Sequence, residues 1–357
     1  MILKSWFTLY RKPVFTIVGL VFALVAAMII SVGSGAVSIP PKTVILILLE
    51  YAGIVSNDNQ IEQYAAIVQG IRLPRVIMAM LVGATLAVSG AALQGLFRNP
   101  LADPTLIGVS SGAAFAAACV IILGSSLVDV LPKFLSELTL PIAAFLGGLL
   151  ATWLVYTIST KSGRTSVATM LLGGIAVNAL AAAGIGMLVF TADDLQIRDL
   201  TFWTLGSLGS STWQTVSTTL LFLMIPIVGL PLLSKSMNVM MLGEKEANHL
   251  GIHTQLVKKL VILISAVGIG AAVAVSGIIG FVGLVVPHLL RLFIGPDNRF
   301  LIPASILLGA LLLLASDLFA RMIVVPAELP IGIVTSIIGA PFFLWLLMRN
   351  RNLANYL

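Results

Sequence analysis

LVILISAVGIGAAVAVSGIIGFVGLVVPHLL, residues 260–290, is the stretch on which the topology turns. Its 31 residues contain no Asp, Glu, Lys or Arg. As a single helix it would run about 46 Å at the usual rise per residue. A membrane crossing needs about 20 residues to span a core of about 30 Å. The window is long for one crossing and short for two full ones. Gly277, Gly280 and Gly283, with Pro287 behind them, predict a tight break between two helices, the second of them short.

Directly before this window stands a charged island, SKSMNVMMLGEKEANHLGIHTQLVKK (234–259), with four Lys, two Glu and two His. The 34 residues ahead of it (200–233) carry no charge. In a chain that is 10% charged, such a cluster is expected to face water. Gly243 precedes an acidic helical start at Glu244 to Ala247, Gly251 breaks it, and Lys258 and Lys259 lead into the apolar run. A segment of that form is where a membrane protein meets a soluble partner.

The rest of the chain fits this frame. It is 59% hydrophobic with mean hydropathy +1.10, which marks an integral membrane protein. The apolar runs lack the alternation of a barrel, so helices are the spanning elements. Charge-free windows cover 13–41, 76–97, 104–128, 138–160, 165–192, 200–234, 260–290, 300–316 and 329–348. If 260–290 is split, ten spans result and both termini are cytosolic. Cytosolic loops then hold 14 of the 20 Lys and Arg, against an even division for nine spans. The positive-inside rule selects ten. The net charge of +6 therefore reads as loop bias rather than as a nucleic-acid surface.

Lys4, Arg11 and Lys12 precede an apolar run longer than a signal-peptide core, so the N-terminal run is expected to be an uncleaved first helix. Cys119 stands alone, which excludes an internal disulfide. The absence of a linker or composition shift predicts one transmembrane domain over 1–357. Short helices are expected around Lys42–Tyr51 and within 193–211.

Candidate chemistry is sparse. A P-loop requires a Gly-Lys pair, and the chain has none. Any ATP-driven process therefore places ATP and its Mg on another chain. Glu246, His249 and His253 share helical spacing, but Gly251 interrupts them and no further strong ligand follows, so no metal site is expected. Ion-coupled transporters carry ionisable groups within their spans. Here Asp317 is the main candidate, and Arg321 four residues on makes it a local pair. That disfavours an ion-coupled secondary transporter, which remains the alternative of a different class. His288 after Pro287 reads as a packing residue, with a pathway contact as the alternative. No paired aspartates lie within spans, and Ser110-Ser111-Gly112 is ordinary helix packing, so the chain is not expected to be an enzyme. Arg72 and Arg75 flank Pro74 at the expected outer mouth of the second helix, and Arg321 lies at an outer helix end. There they would either pair with acidic groups of an extracytoplasmic partner or snorkel to the interface.

Several stretches together resemble one family: RLPRVIMAMLVGATLAVSGAALQGLFRNPLADPTLIGVSSGAA (72–114), GGIAVNAL (173–180), LGEKEANHLGI (242–252), GFVGLVVPHLLRL (280–292) and AELPIGIVTSIIGAPFFLWLL (327–347). They are similar to the FecCD-type permeases of bacterial ABC importers for iron–siderophore complexes, haem and cobalamin, and the likeness runs essentially end to end. It implies an all-α polytopic type II importer fold in the bacterial cytoplasmic membrane. It also implies a homodimer with a central pathway, two cytosolic ATPase subunits and an extracytoplasmic binding protein for haem or a siderophore. By the same resemblance, Gly243, Glu244, Glu246, Ala247, Asn248 and Gly251 form the ATPase-coupling loop, with Asn248 departing from the commoner alanine. Arg72, Arg75 and Arg321 become docking points for glutamates of the binding protein. Residues 95–114 and 197–209 look most similar to haem permeases, so haem is the expected cargo, with a ferric siderophore or cobalamin as alternatives. The Gly-rich fifth helix, with Gly173, Gly174, Gly184 and Gly186, is the expected lining element. Thr165, Ser166 and Thr169 are then candidates for a cytosolic gate, and Asn178 and Met187 for pathway contacts.

Overall fold

The chain breaks the 260–290 window at its first glycine of that cluster. In the computed structural model, which describes residues 2–35, 37–51, 53–54, 62–124, 133–324 and 327–354, the helix Thr254–Ser276 ends at Gly277, whose φ is 68°. A Cβ at Gly277 would run into the carbonyl of Trp203. The next helix, Val282–Ile294, starts after Phe281, a non-glycine residue also at φ 68°. The Phe281 ring lies over Gly339, where any side chain would collide with it. The reversal is thus held by packing on both sides.

In chain order the elements are α1 (Ile2–Gly33), α2 (Pro41–Tyr51), α3 (Glu62–Ile67), a π turn (Val68–Arg72), α4 (Leu73–Phe97), a 3-10 turn (Pro104–Ile107), α5 (Val109–Leu123) and α6 (Lys133–Ser159). A hairpin follows, β1 (Thr160–Lys161) with β2 (Arg164–Thr165). Then come α7 (Val167–Thr191), α8 (Asp194–Leu205), α9 (Trp213–Leu232), α10 (Ser234–Met240), α11 (Glu244–His249), α12 (Thr254–Ser276), α13 (Val282–Ile294), α14 (Asn298–Met322) and α15 (Ile331–Ala354). Among the described residues, seven helical stretches are long and apolar enough to cross a membrane: 12–33, 64–97, 138–159, 167–191, 213–232, 254–276 and 298–322. Val109–Leu123, Val282–Ile294 and Ile331–Leu346 are shorter apolar helices.

The helix 64–97 runs through the middle and is wrapped by α9, α12, α13 and α14. Val76, Ala79, Val82, Ala87, Val88 and Ala91 are fully buried along it, as expected of a helix apolar on all faces. Lipid tails are as apolar as leucine, so close packing rather than water-to-oil transfer holds such helices together. The contact of Gly90 with Gly283 shows what this requires, because a Cβ on Gly90 would overlap the Gly283 carbonyl. Hydrogen bonds supplement the packing at roughly 1 kcal/mol each. Thr85 Oγ1 donates to Leu223 O at 3.0 Å, and Gln94 Nε2 donates to Leu284 O at 3.3 Å while its Oε1 accepts from Arg291.

Two expectations are corrected. The window 76–97 predicts a helix that opens after Arg72 and Arg75. The helix instead runs unbroken from 64 for 34 residues, through the π turn, and buries both arginines inside it. Distant parts of the chain hold both guanidinium groups, carbonyls at Arg72 and carboxylates at Arg75, so the two arginines stand within the helix rather than at its start. The chain is also not purely α, because the 160–165 hairpin is a short antiparallel pair. The short helices expected at 42–51 and within 193–211 correspond to α2 and α8.

One end of the bundle gathers the 234–259 segment, the hairpin and the start of α14. The opposite end gathers the last turn of α1, the π turn and the last turns of α14.

Candidate functional site

At the charged end, α11 is a helix of six residues bounded by two glycines. Gly243 precedes it at φ 136°, with the Glu246 side chain folded against the position a Cβ would occupy. Gly251 follows at φ 82°. Its N–H donates to Asn248 O at 3.0 Å and the Ile252 N–H donates to Ala247 O at 2.9 Å. These two bonds make a Schellman cap, which needs a left-handed residue at that place and so favours glycine. Ala247 is fully buried and anchors the helix. Lys245, Glu246, Asn248 and His249 face outward. Leu242 and Leu250 flank them with 68% and 62% exposure. Two bare leucines beside charged groups form a contact surface of the kind a protein partner covers. The cap also turns the chain between His249 and His253, so these two do not share a helix.

Glu244 points the other way. Its Oε1 lies 2.7 Å from Lys258 Nζ, and the same ammonium donates to Thr165 O at 2.9 Å. Lys258 was expected in water with the rest of the island, yet it is only 2% exposed, because the hairpin and α11 close over it. Thr165, also buried, donates its N–H to Gln255 Oε1 at 3.0 Å. A cleft of about 520 Å³ beside this cluster is lined by Arg164, Glu244, Lys245, Asn248, His253, Thr254 and Gln255.

The gate candidates lie just beyond. Ser166 caps α7 and accepts from Thr169 N at 3.3 Å and from Thr169 Oγ1 at 2.9 Å. Asn178 is held at both ends of its amide, accepting from Ser111 Oγ at 2.5 Å and donating to Thr105 O at 3.3 Å. It pins α7 to the segment 105–111. Met187 is exposed, with Leu172, Leu180 and Phe190 on the same helix. Of the four glycines, Gly174 meets the Leu106 carbonyl and Gly184 the Phe115 ring, whereas Gly186 has open space before it. An apolar cleft of about 670 Å³ opens between α8, the 278–280 turn and α15.

The docking candidates meet at the opposite end. Arg72 Nη1 donates to Val32 O at 2.7 Å and Gly33 O at 2.9 Å, and its Nη2 donates to Val37 O. Arg75 donates Nε to Asp317 Oδ1 at 3.0 Å and grips Glu328 with two bonds of 2.8 and 2.9 Å. Arg321 Nε stands 3.0 Å from Asp317 Oδ2, an ion pair that is close but poorly aligned as a hydrogen bond. Arg321 Nη2 also donates to Ser31 Oγ at 2.7 Å. Asp317 is therefore more than a local partner of Arg321, because it also joins α4 to α14. Glu328 was not singled out from the sequence, although it is the sole charged residue between Arg321 and Arg349. The hydrogen bonds from Arg75 hold its carboxyl below the usual range, against the effect of burial.

The model of the FecCD transport family matches residues 23–349. The chain is 44% identical over 334 residues to the hemin transport system permease protein HmuU of Yersinia pestis, covering 92% of this chain and 95% of that one. It is 45% identical over 291 residues to the cobalamin import system permease protein BtuC of Halobacterium salinarum, covering 81% of this chain and 75% of that one. Among solved structures it is similar to an ABC transporter in an inward-facing conformation, with TM-score 0.79, 34% identity and coverage of 93% of this chain and 98% of that one.

Proposed function

This chain belongs to the FecCD transport family, the membrane-embedded permeases of ABC importers, and from that premise we propose that it carries haem across a bacterial cytoplasmic membrane. The observation that carries the cargo is the likeness to a hemin permease over nearly the full length of both chains. Cobalamin is the second reading, favoured by an almost equal identity over a shorter stretch, and a ferric siderophore the third. Uptake of haem, cobalamin and ferric siderophores into vesicles holding the complete transporter tests this. Haem accumulation supports the proposal, and accumulation of cobalamin without haem reassigns the cargo.

In this reading the three shorter apolar helices cross with the seven longer ones. Ten spans then form one transmembrane domain with both termini and the 234–259 segment in the cytosol, as the charge bias favours. Labelling of single cysteines placed at positions 297 and 350 from the cytosolic side checks it, and labelling from outside refutes it. Two copies pair around a pathway bordered by the exposed face of α7. Two ATPase subunits, which hold ATP and Mg, seat on Leu242, Glu246, Asn248, Leu250 and the turns at Gly243 and Gly251. A binding protein meets the Arg72, Arg75 and Arg321 end. Closure of the ATPases displaces α11, and the turn into α7 at Thr165, Ser166 and Thr169 opens or shuts the cytosolic side. The chain itself holds no cofactor in this mechanism. Its work is differential contact in two states.

A further inference from the structure

The charged end contains a closed polar ring that joins the partner-facing helix to the gate helix. Lys258 Nζ lies 2.7 Å from Glu244 Oε1 and donates to Thr165 O at 2.9 Å. Gln255 accepts from Thr165 N at 3.0 Å and donates to Glu244 Oε2 at 3.4 Å. Both peptide groups of Thr165 and both oxygens of Glu244 are thus held by two side chains near the start of α12. Thr165 directly precedes Ser166, the cap of α7, and Ser166 N donates to Ser159 O at 3.0 Å to close the hairpin.

The two charges sit in different surroundings. The Glu244 side chain is 41% exposed and that of Lys258 is 3% exposed. A partner pressing on α11 can therefore move Glu244 but cannot reach Lys258. If Glu244 moved alone, a buried ammonium would lose its counter-charge, which is a costly state. The arrangement that avoids this keeps Lys258, Glu244 and Thr165 together, so α11 and the start of α7 shift as a unit. We infer that Lys258 and Gln255 are positioning residues that couple α11 to α7. This inference rests on the reading of α11 as the ATPase seat and of the α7 start as a gate.

The test uses the complete transporter, with its ATPase and binding protein, in proteoliposomes. Uptake and ATP hydrolysis are measured on the same vesicles, with whichever of haem or cobalamin the wild type accumulates. Lys258→Met is expected to lower cargo moved per ATP by about tenfold, within the usual range of coupling free energies. Lys258→Arg, which keeps charge and donors, is expected to retain most of it. Gln255→Ala should lower it by a smaller factor. A purely structural role would reduce hydrolysis and uptake together and leave their ratio alone. An unchanged ratio in Lys258→Met overturns the inference. If that variant fails to assemble, an unchanged ratio in Gln255→Ala does so. Glu246→Arg separates the polar ring from the ATPase seat. If it uncouples while the Lys258 and Gln255 variants do not, the ring alone falls. If Glu246→Arg also transports normally, the seat of the ATPase is elsewhere.

Discussion

Arg75 donates to Asp317 at 3.0 Å across 242 positions of sequence, and the carboxylate that receives it is fully buried. The same carboxylate faces Arg321 on its other oxygen. One buried anion therefore lies between two guanidinium groups on two helices, α4 and α14. Removing it leaves two cations close together with less compensation. Breaking a buried pair of this kind costs about 3–5 kcal/mol. Asp317→Asn is expected to lower the melting temperature of the purified permease clearly. An unchanged melting temperature would show that the pair contributes nothing net.

Glu328 competes for the same arginine. Its side chain is 44% exposed, so the pair is partly screened and worth less than about 1 kcal/mol to the fold. Its carboxyl titrates below the ordinary 4.5. The pair's contribution is complete above that ordinary value and is lost only as pH falls through the lowered one. At neutral pH, Glu328 therefore occupies the donors of Arg75 that the proposed docking of a binding protein's glutamate would use. Glu328→Gln is expected to tighten docking of the binding protein by a few-fold, a gain that salt screens out. Weaker docking in a titration would indicate that Glu328 itself belongs to the docking surface.

Asp297 gives a pH prediction at the charged end. It caps α14, accepting from Arg299 N at 2.9 Å and from Asn238 Nδ2 at 2.7 Å. Hydrogen bonds from the Arg299 side chain are the main cause that brings its carboxyl down to about 2. A depressed carboxyl stabilises the fold above its unfolded value and loses that contribution as pH falls toward about 2. Asp297→Ala is expected to cost about 1 kcal/mol, as for loss of a helix cap. The cost should disappear in acid, where the wild type has lost the same contribution. A cost independent of pH would assign the effect to packing.

Gly251 and Glu246 probe the proposed partner surface separately from the fold. A side chain at Gly251 forces φ 82° on a residue that resists it, at about 1 kcal/mol. Gly251→Val is expected to insert into membranes yet to lose cargo uptake while ATP hydrolysis persists. Glu246→Arg should do the same by charge. Normal uptake in both, measured in reconstituted vesicles, would remove this surface from the coupling route.

Much of this architecture is legible in the sequence because the membrane imposes simple rules. The break at Gly277 follows from a window too long for one helix and too short for two. The caps of α11 follow from Gly243 and Gly251. What was not legible depends on partners far away in sequence. Arg72 and Arg75 look like a helix mouth until Val32, Gly33 and Asp317 are seen to meet them, and only then can the helix continue through. Lys258 looks like a solvated charge beside Lys259. Its burial depends on a six-residue hairpin that has no sequence pattern long enough to read. Phe281 in a left-handed conformation could not be anticipated, because local preference opposes it and packing over Gly339 supplies the reason.

Import driven by ATP on a separate chain is decided by cargo uptake in proteoliposomes that hold this permease, its ATPase and its binding protein. Haem is expected to accumulate only with ATP on the side of the 234–259 segment, and to do so after collapse of the proton gradient. Uptake that persists without ATP and vanishes with the gradient would contradict it.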